Sequence, residues 1–464
     1  MKDDSTICAI STPPGTGAIS IIRLSGENAI SIVDRVFLIH NNKKNLSQKK
    51  PNTVYYGSIL YQDQIIDQVL LTFFKAPKSY TGENVVEISC HGSIYLQQRI
   101  MEILITSGAR NAEPGEFTLR AFLNGKMDLS QSEAVADLIG SRSKSLHEAA
   151  LKQMRGGFST EISILRQKLL NFSSLIELEL DFSEEDVNFA DRNELKGQIE
   201  KIQDIVDKLL ESFKYGNALK NGVPVAIVGK PNVGKSTILN ILLNDEKAIV
   251  SDIPGTTRDI IEDTVNIQGI LFRFIDTAGI RDSLDKLELL GIERTFNNIR
   301  KASIVLLVVD ANETPEDISQ QIINLDLQAE QKLIVITNKI DLVKNEVVLN
   351  SFKDLLVSNK YHVVSISAKK NLHIDILINL LVESVKYKTQ LFNDIIVINL
   401  RHFESLKATY EAGKRVLDGV ENNISGDLLS QSIREMTYNL GAITGEISTD
   451  EILGNIFKNF CIGK

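Results

Sequence analysis

The sequence lacks several features that would place it in a specialised class of protein. Its 464 residues include no tryptophan and only three cysteines. Cys8, Cys90 and Cys461 share no metal-type spacing, so neither a disulfide framework nor a structural zinc site is indicated. The N-terminus, Met1–Thr6, lacks the apolar run of a signal peptide, and the apolar run Ile304–Val309 is far too short to span a bilayer. These absences predict a cytoplasmic protein with no membrane association.

Positive charge is also in short supply. The chain has 51 Lys and Arg against 60 Asp and Glu, which gives a net charge of −9. Neutralising nucleic-acid phosphates requires clustered Lys and Arg, so this net charge argues against a broad nucleic-acid surface. Any RNA contact must be local or must come through a partner. The hydrophobic fraction of 43% is ordinary for a globular protein, and the length predicts about three domains.

The segment Gly229–Ser236 is the most informative part that is present, because it matches a phosphate-binding loop. Gly229 and Gly234 allow the backbone to curl, so that successive N–H groups face one centre. Lys235 brings a positive charge to the terminal phosphates, and Ser236 offers a hydroxyl to Mg²⁺. A buried strand is predicted before this loop and a helix after it, so the helix N-terminus faces the phosphate.

Three further motifs, each after a predicted buried strand, complete a GTP site. Asp276–Gly279 provides an aspartate that can hold Mg²⁺ through water and a glycine amide that can sense a γ-phosphate. In Asn338–Asp341, the carboxylate of Asp341 can accept both the N1–H and the 2-amino hydrogens of guanine, which adenine cannot present. Ser367–Lys369 supplies a backbone amide for the guanine oxygen. Four motifs in this order predict that the nucleotide is GTP.

The predicted GTP-binding residues lie in these motifs and in the loop that follows the first helix. They are Asn232, Val233, Gly234, Lys235, Ser236, Thr237, Ser251, Asp252, Ile253, Pro254, Gly255, Thr256, Thr257, Asp276, Thr277, Ala278, Gly279, Asn338, Lys339, Ile340, Asp341, Ser367, Ala368 and Lys369.

Changes in hydrophobic period divide the chain into three regimes. The first predicts strands at Ile19–Leu24, Thr53–Tyr61, Gln68–Phe74 and Val85–Cys90, and a helix at Ser93–Ser107. In the second, apolar residues recur every three or four positions between residues 151 and 176, which predicts helices. The third carries the GTP motifs, with strands Val225–Val228, Phe272–Ile275, Leu333–Thr337 and Val363–Ile366 and a helix Ser236–Leu243. A helical spacing of apolar residues returns near residue 380. Capping boxes are predicted at Ser130 with Glu133 and at Ser448 with Glu451.

These patterns predict a multidomain α/β + α protein. A doubly wound α/β G domain with a P-loop is inserted in an all-α helical domain, and an α+β N-terminal domain precedes both. The predicted boundaries are residues 1–118 for the N-terminal domain, 119–220 and 386–464 for the two halves of the helical domain, and 221–385 for the G domain.

Hydrolysis requires a group that the sequence does not place where Ras-type proteins have it. Ile280 directly follows the motif Asp276–Gly279, so the glutamine that orients the attacking water is absent. Arg281 could act as an arginine finger. Alternatively, a monovalent cation could bind Asn232 and the carbonyls of the turn-rich loop Ser251–Asp259. Potassium suits such a cage of neutral oxygens, and Thr257 would complete the Mg²⁺ shell when the loop closes.

The whole chain resembles the bacterial and organellar family of tRNA-modification GTPases called MnmE or TrmE, which act on the wobble uridine of certain tRNAs. The resemblance rests on the GTP site and on Thr12–Gly15, Pro114–Phe117 and the terminal Phe460–Lys464. It implies an N-terminal folate-binding domain that forms a homodimer, and G domains that meet across K⁺ during hydrolysis. It also implies an FAD-dependent partner of the MnmG (GidA) type. With that partner, an aminomethyl or carboxymethylaminomethyl group is installed at C5 of the uridine.

The resemblance further implies roles for single residues. The K⁺ ligands would be Asn232, Ser251, Ile253 and Thr256, and the Mg²⁺ ligands Ser236 and Thr257. Glu288 would position the nucleophilic water. Contacts to 5-formyltetrahydrofolate, or a related one-carbon folate, would come from Arg23, Glu87, Lys126 and Lys464. A basic side chain can meet the glutamate carboxylate of the folate, and an acidic one can accept from the pterin amine.

Other readings stay open at this point. Cys461 could be a catalytic thiolate activated by Lys464, or an inert terminal thiol. His91 fits a hydrogen-bonded histidine at a strand end better than a catalytic base. A ribosome-assembly GTPase that binds ribosomal RNA is the alternative function, although no KH-type domain, second G domain or basic face is visible. A dynamin-type GTPase would need a lipid-binding segment, and no basic amphipathic stretch is found.

Overall fold

The structure is a computed structural model. It describes residues 4–40, 45–181, 192–244, 263–275, 299–328, 331–343, 361–386, 395–458, 460 and 462–463. The chain forms two compact units. The first comprises Met1–Ile139, Gln153–Ala190 and Asn423–Lys464, and the second comprises Gly140–Lys152 and Asp191–Asn422. Among the described helices, none combines the length and the apolar character needed to cross a bilayer.

The first unit is built on a seven-stranded sheet. Its strands are Ile7–Ile10 (β1), Ile19–Ser25 (β2), Phe37–Ile39 (β3), Val54–Tyr61 (β4), Gln64–Phe74 (β5), Val85–His91 (β6) and Arg110–Asn111 (β7). They lie in the order β3-β4-β5-β6-β2-β1-β7. All neighbours are antiparallel except β1 and β7. Alternation in β5 buries Val69, Leu71 and Phe73 on one face, as a sheet with one covered side requires.

The helices of this part of the chain are Ala29–Asp34 (α1), Ile94–Thr106 (α2), Glu116–Leu123 (α3), Leu129–Ile139 (α4), Lys144–Met154 (α5) and Gly157–Asp181 (α6). Helices α1 and α2 pack in the core beneath the sheet. All of them belong to the first unit except α5, most of which belongs to the second. Helix α2 buries Ile100, Ile103 and Leu104 in the core that also contains Val69 and Leu71. The spacing of three and four residues explains why this segment is a helix that packs along one stripe.

A cluster of ion pairs fixes the start of α3. Glu116 is buried and accepts hydrogen bonds from Arg110 at 2.6 Å, from Arg120 at 2.9 Å and from the backbone N–H of Glu113 at 2.9 Å. Burial raises the pKa of the Glu116 carboxyl, but the hydrogen bonds from Arg110, Glu113 and Arg120 outweigh it and leave the pKa below its usual range. The segment Pro114–Phe117 is therefore held in one geometry.

The second unit contains a six-stranded sheet. Its strands are Val223–Val228 (β8), Asp263–Ile267 (β9), Ile270–Phe274 (β10), Ile304–Asp310 (β11), Lys332–Asn338 (β12) and His362–Ser365 (β13). They lie in the order β13-β12-β11-β8-β10-β9, parallel except for the pair of β9 and β10. The near-continuous apolar sequences of β8, β11 and β12 are typical of parallel strands covered on both faces.

The remaining helices complete both units. They are Arg192–Asn221 (α7), Lys235–Asn244 (α8), Pro315–Ile323 (α9), Ile374–Lys386 (α10), Leu400–Glu421 (α11), Gly426–Thr444 (α12) and Asp450–Phe457 (α13). Within the first unit α6 packs along α12, and within the second α7 packs along α11. The backbone at Val397 lies close to α7 at Gly216. A Cβ on Gly216 would lie 1.9 Å from the Val397 carbonyl oxygen, so this position requires glycine.

Both predicted capping boxes were wrong by a short shift in sequence. Helix α4 is capped by Asp128, whose Oδ1 accepts from the Gln131 N–H at 2.8 Å while the Gln131 side chain accepts from the Asp128 N–H at 2.9 Å. Ser130 instead donates to Asp128 at 3.0 Å. Helix α13 is capped by Thr449, which accepts from the Ile452 N–H. In both cases a neighbouring residue, and not the predicted serine, accepts a hydrogen bond from an N–H group in the first turn of the helix.

The long helical stripe is interrupted at one residue. Gly156 has a φ of +87°, which lies in the left-handed region, and the helix ends there before α6 begins. Phe158, Ile162, Leu165, Leu169 and Ile176 are buried along α6, as helical spacing predicts. The stripe therefore serves as core.

Candidate functional site

The phosphate-loop segment joins the end of β8 to the start of α8. Gly229 has a φ of +145°, and a Cβ there would lie 2.1 Å from the Val308 carbonyl oxygen. Gly234 has a φ of +102°, and a Cβ there would lie 2.2 Å from the Asn338 side-chain nitrogen. Both positions therefore require glycine, because the backbone conformation and the space each exclude a side chain. The N-terminus of α8 follows directly, which is the arrangement that binds phosphate.

Lys235 is held across the loop by backbone oxygens. Its Nζ donates to the carbonyl of Gly229 at 2.9 Å and to that of Lys230 at 2.7 Å. Burial lowers the pKa of the Lys235 ammonium. A bound phosphate anion would favour the charged ammonium and offset this loss of solvation. The glycine cradle and this ammonium together fit a nucleotide triphosphate.

Asn338 links three segments of the site. Its side-chain Nδ2 donates to the Val233 carbonyl at 2.8 Å, and its Oδ1 accepts from the Ala368 N–H at 3.0 Å. Asn338 is buried at the end of β12, so these bonds are shielded from water. The phosphate loop and the two predicted base-recognition segments are therefore fixed relative to one another.

The carboxylate of Asp341 is oriented by a hydroxyl. Ser367 Oγ donates to Asp341 Oδ1 at 2.6 Å, and this hydrogen bond is the main reason that the pKa of Asp341 lies below its usual range. Asp341 is therefore ionised and accepts hydrogen bonds at neutral pH. Ile340 begins a 3₁₀ turn, and its N–H donates to the Ile366 carbonyl at 3.2 Å. Lys369 is exposed beside this segment.

The remaining described residues of the predicted site lie in the phosphate loop and the first turn of α8. Asn232 is exposed at the tip of the loop with a φ of +63°, whereas Val233 is buried beneath it. Ser236 is half-buried in the first turn, and Thr237 is exposed beside it. An exposed amide oxygen at Asn232 and a hydroxyl at Ser236 are donor types that suit K⁺ and Mg²⁺ respectively.

Many predicted residues lie outside the part of the chain that the structure describes. They are Ser251, Asp252, Ile253, Pro254, Gly255, Thr256, Thr257, Asp276, Thr277, Ala278, Gly279, Arg281, Glu288, Cys461 and Lys464. Their roles stay predictions.

The first unit brings two predicted folate residues into contact. Arg23 and Glu87 are Cα partners across β2 and β6. The Arg23 Nε donates to Glu87 Oε1 at 2.9 Å, and the Arg23 guanidinium lies 5.5 Å from the Tyr80 ring centroid. Both side chains keep some exposure, 18% for Arg23 and 28% for Glu87. A cation on this sheet face can pair with a glutamate carboxylate, and a carboxylate can accept from a pterin amine.

The C-terminal tail reaches the same cluster. Arg23 NH1 donates to the Gly463 carbonyl at 3.5 Å, and Ser11 Oγ donates to the same oxygen at 3.1 Å. Upstream of the tail, Phe457 is buried, and a Cβ on Gly115 would lie 2.7 Å from its carbonyl oxygen. The tail therefore crosses the start of α3 and ends beside β1 and β2.

Lys126 contacts a neighbouring loop instead of Arg23 or Glu87. Its Nζ donates to the Pro77 carbonyl at 3.1 Å, and the same loop carries Tyr80. His91 Nδ1 lies at hydrogen-bond distance, 2.7 Å, from the acceptor Asp67 Oδ1, as expected for a hydrogen-bonded strand-end histidine. Within the described residues, no cluster of three or more His, Cys, Asp or Glu is arranged to hold a metal ion. Cys8 and Cys90 are buried free thiols, and burial raises the pKa of each to about 11.

Sequence reasoning missed two carboxylates beside the nucleotide site. Asp310 ends β11 and lies 2.8 Å from Lys339 Nζ, and Glu313 accepts from Lys230 Nζ at 2.8 Å. The available signal was the position of Asp310 at the carboxyl end of a buried parallel strand, where ligand-binding residues of α/β sheets gather.

A parallel sheet with a phosphate loop after its β8 strand, and with Asn338, Asp341 and Ser367 at the next strand ends, defines the class of P-loop GTP-binding proteins. The family model described as "MnmE helical domain" matches residues 129–461, and that described as "GTP-binding protein TrmE N-terminus" matches residues 6–126.

Curated relatives match the chain along its whole length. The tRNA modification GTPase MnmE of Bacteroides fragilis (strain YCH46) is 52% identical over 467 residues, with 100% of each chain covered. That of Cytophaga hutchinsonii is 49% identical, with 99% of this chain and 98% of the relative covered. A structure of Aquifex aeolicus Era bound to GDP.AlF4⁻ is 32% identical over 40% of this chain and 65% of that chain, with a TM-score of 0.26. The chain belongs to the MnmE family of tRNA modification GTPases.

Proposed function

We propose that this protein is a potassium-activated GTP hydrolase that acts with an FAD-dependent partner of the MnmG type on tRNA. The product would be an aminomethyl or carboxymethylaminomethyl group at C5 of the wobble uridine, with a one-carbon folate bound by the N-terminal domain. GTP hydrolysis would drive a conformational change in a cytoplasmic homodimer. The domain boundaries at residues 118, 220 and 385 are part of the same proposal.

The proposal is carried by the link that Asn338 makes between the phosphate loop and the base-recognition segments, in a chain that aligns with the family along its whole length. Asn232 supports activation by potassium. Its side chain is exposed at the tip of the phosphate loop, so its amide oxygen can bind a cation without any change in the fold. Ser251, Ile253 and Thr256 would supply the other oxygens, and Glu288 would orient the water. Mg²⁺ would be held by Ser236 and Thr257, and it would neutralise charge on the transferring phosphate.

The folate step is supported by the cluster around Arg23. Arg23 and Glu87 offer a cation and a carboxylate on one sheet face, and Gly463 of the C-terminal tail contacts Arg23. Lys126 donates a hydrogen bond to the Pro77 carbonyl on the loop that carries Tyr80. When bound, the folate would supply the one-carbon unit, while Arg23 and Glu87 would orient it. Cys461 is the candidate catalytic thiol of this site.

Replacing K⁺ by Na⁺ at fixed ionic strength should lower GTP turnover by about tenfold or more, because each 1.4 kcal/mol of lost transition-state stabilisation costs a factor of ten. The measurement is steady-state phosphate release, with GTP affinity as the control, since affinity should change by no more than about twofold. Equal turnover in both salts would contradict activation by potassium. Full turnover by a strictly monomeric protein would contradict the proposal that hydrolysis takes place in a homodimer.

Wobble nucleosides from cells that lack this protein should show unmodified C5 positions in the affected tRNAs. Mass spectrometry of digested tRNA gives the readout, and return of the modification with the intact gene is the control. The alternative, a ribosome-assembly GTPase that binds ribosomal RNA, predicts unchanged uridine modification together with defective ribosomal subunits. The two outcomes therefore separate the two functions.

A further inference from the structure

Two carboxylates, one at the last residue of β11 and one just after it, each contact a lysine of the nucleotide site. Asp310 Oδ2 lies 2.8 Å from the Nζ of Lys339, the second residue of the base-recognition motif. Glu313 Oε2 accepts a hydrogen bond at 2.8 Å from the Nζ of Lys230, the second residue of the phosphate loop. One short segment therefore contacts both the base side and the phosphate side.

The two carboxylates are themselves held in place. The Asn312 N–H and side-chain amide donate to Asp310 Oδ1 at 3.1 Å and 2.9 Å. Glu313 Oε1 accepts from the Asp310 N–H at 3.1 Å, and its Oε2 accepts from Gln321 at 2.7 Å. The Glu313 side chain is only 13% exposed. Both acceptors are therefore pre-positioned, and the lysines gain a fixed partner.

The segment is also attached to the base-recognition strand. The Ala311 N–H donates to the Asn338 carbonyl at 2.8 Å, so the segment and the motif share a backbone hydrogen bond. Burial raises the pKa of both acids, but the hydrogen bonds from Lys339 to Asp310 and from Lys230 to Glu313 outweigh it and leave each pKa below its usual range. Both ion pairs are therefore formed at neutral pH.

We propose that Asp310 and Glu313 are positioning residues for the guanine nucleotide, which act through Lys339 and Lys230 and slow nucleotide release. A lysine side chain has many rotamers, and ordering it during binding costs free energy. An ion pair that fixes the side chain beforehand removes that cost from the binding step. The proposal rests on the GTP site described above, and it is independent of potassium, folate and tRNA.

Asp310→Asn and Glu313→Gln should each speed the release of fluorescent mant-GDP by about three- to tenfold, the factor expected when one side chain must be ordered on binding. Stopped-flow displacement by excess GDP measures the rate. The KM for GTP should rise in the same proportion, while kcat at saturating GTP stays unchanged. Glu316→Gln is the matched control, because Glu316 is an exposed acid in the first turn of α9, and its release rate should equal that of the wild type.

A double-mutant cycle separates positioning from general stabilisation. In a Lys339→Met background, Asp310→Asn should add nothing to the release rate, and in a Lys230→Met background Glu313→Gln should likewise add nothing. Multiplicative effects in both cycles would overturn the proposal, as would unchanged release in both single variants. If the wild type failed to bind mant-GDP, the nucleotide site itself would be refuted instead.

Discussion

Asp341→Asn should lower the affinity for GTP by about 10⁴-fold and give the protein affinity for xanthosine triphosphate. The carboxylate would accept hydrogen bonds from N1–H and from the 2-amino group of guanine, whereas an amide would leave one of these donors facing another donor. A buried polar mismatch of this kind has a cost of about that size. Xanthine carries an oxygen at C2, to which the new amide can donate, so it restores the complementary pair.

Equilibrium binding of GTP and of xanthosine triphosphate to both proteins measures this exchange. Ser367→Ala is the graded control, because it removes the hydroxyl that donates to Asp341 at 2.6 Å and leaves the carboxylate in place. It should weaken GTP binding by about tenfold, the value of one hydrogen bond to a charged group, without any gain for xanthine. Undiminished GTP binding by Asp341→Asn would mean that another residue reads the base.

Gly463→Ala should lower the affinity for 5-formyltetrahydrofolate and the rate of tRNA modification by about tenfold or more, while GTP turnover stays unchanged. Gly463 has a φ of +93°, and a Cβ there would lie 2.4 Å from the Ile10 carbonyl oxygen. Strain of this kind costs about 1–3 kcal/mol, enough to shift the tail away from Arg23. The last residues would then leave the cluster that the folate requires.

Folate binding by calorimetry and modification of tRNA with the proposed flavoprotein partner give the two readouts. Gly454→Ala is the matched control, since a Cβ on Gly454 meets nothing within 4 Å. It lies in α13, on the same C-terminal segment, and should bind folate normally. Normal folate binding by Gly463→Ala would show that the tail plays no part in the folate site.

The nucleotide site was predictable because its parts are local. A phosphate loop needs a few adjacent residues between a strand and a helix, so Gly229, Gly234 and Lys235 could be identified from their neighbours alone. The observed β8 and α8 differ from the predicted elements only by a residue or two at their ends. The fold class followed from the same alternation of buried strands and helices, and the family models agree with it.

The contacts that depend on distant parts of the chain were not predictable from composition or spacing. Arg23 meets Glu87 because strand register places them opposite each other, 64 residues apart in sequence. Only the resemblance to a family suggested that pair. The short elements β1, β3 and α1 were missed, because a few residues carry no measurable period. Gly156 was also missed, since a single left-handed residue leaves the hydrophobic stripe unchanged on either side.

The arrangement of the first unit has a consequence for synthesis of the chain on the ribosome. Its sheet is encoded first, but α12, which covers α6, and the tail that meets Ser11 and Arg23 are encoded last. Until α12 has been synthesised, the apolar stripe of α6 therefore lacks the helix that packs along it. A nascent chain that stalls before residue 426 would therefore expose the apolar residues of α6, even if its G domain had already folded.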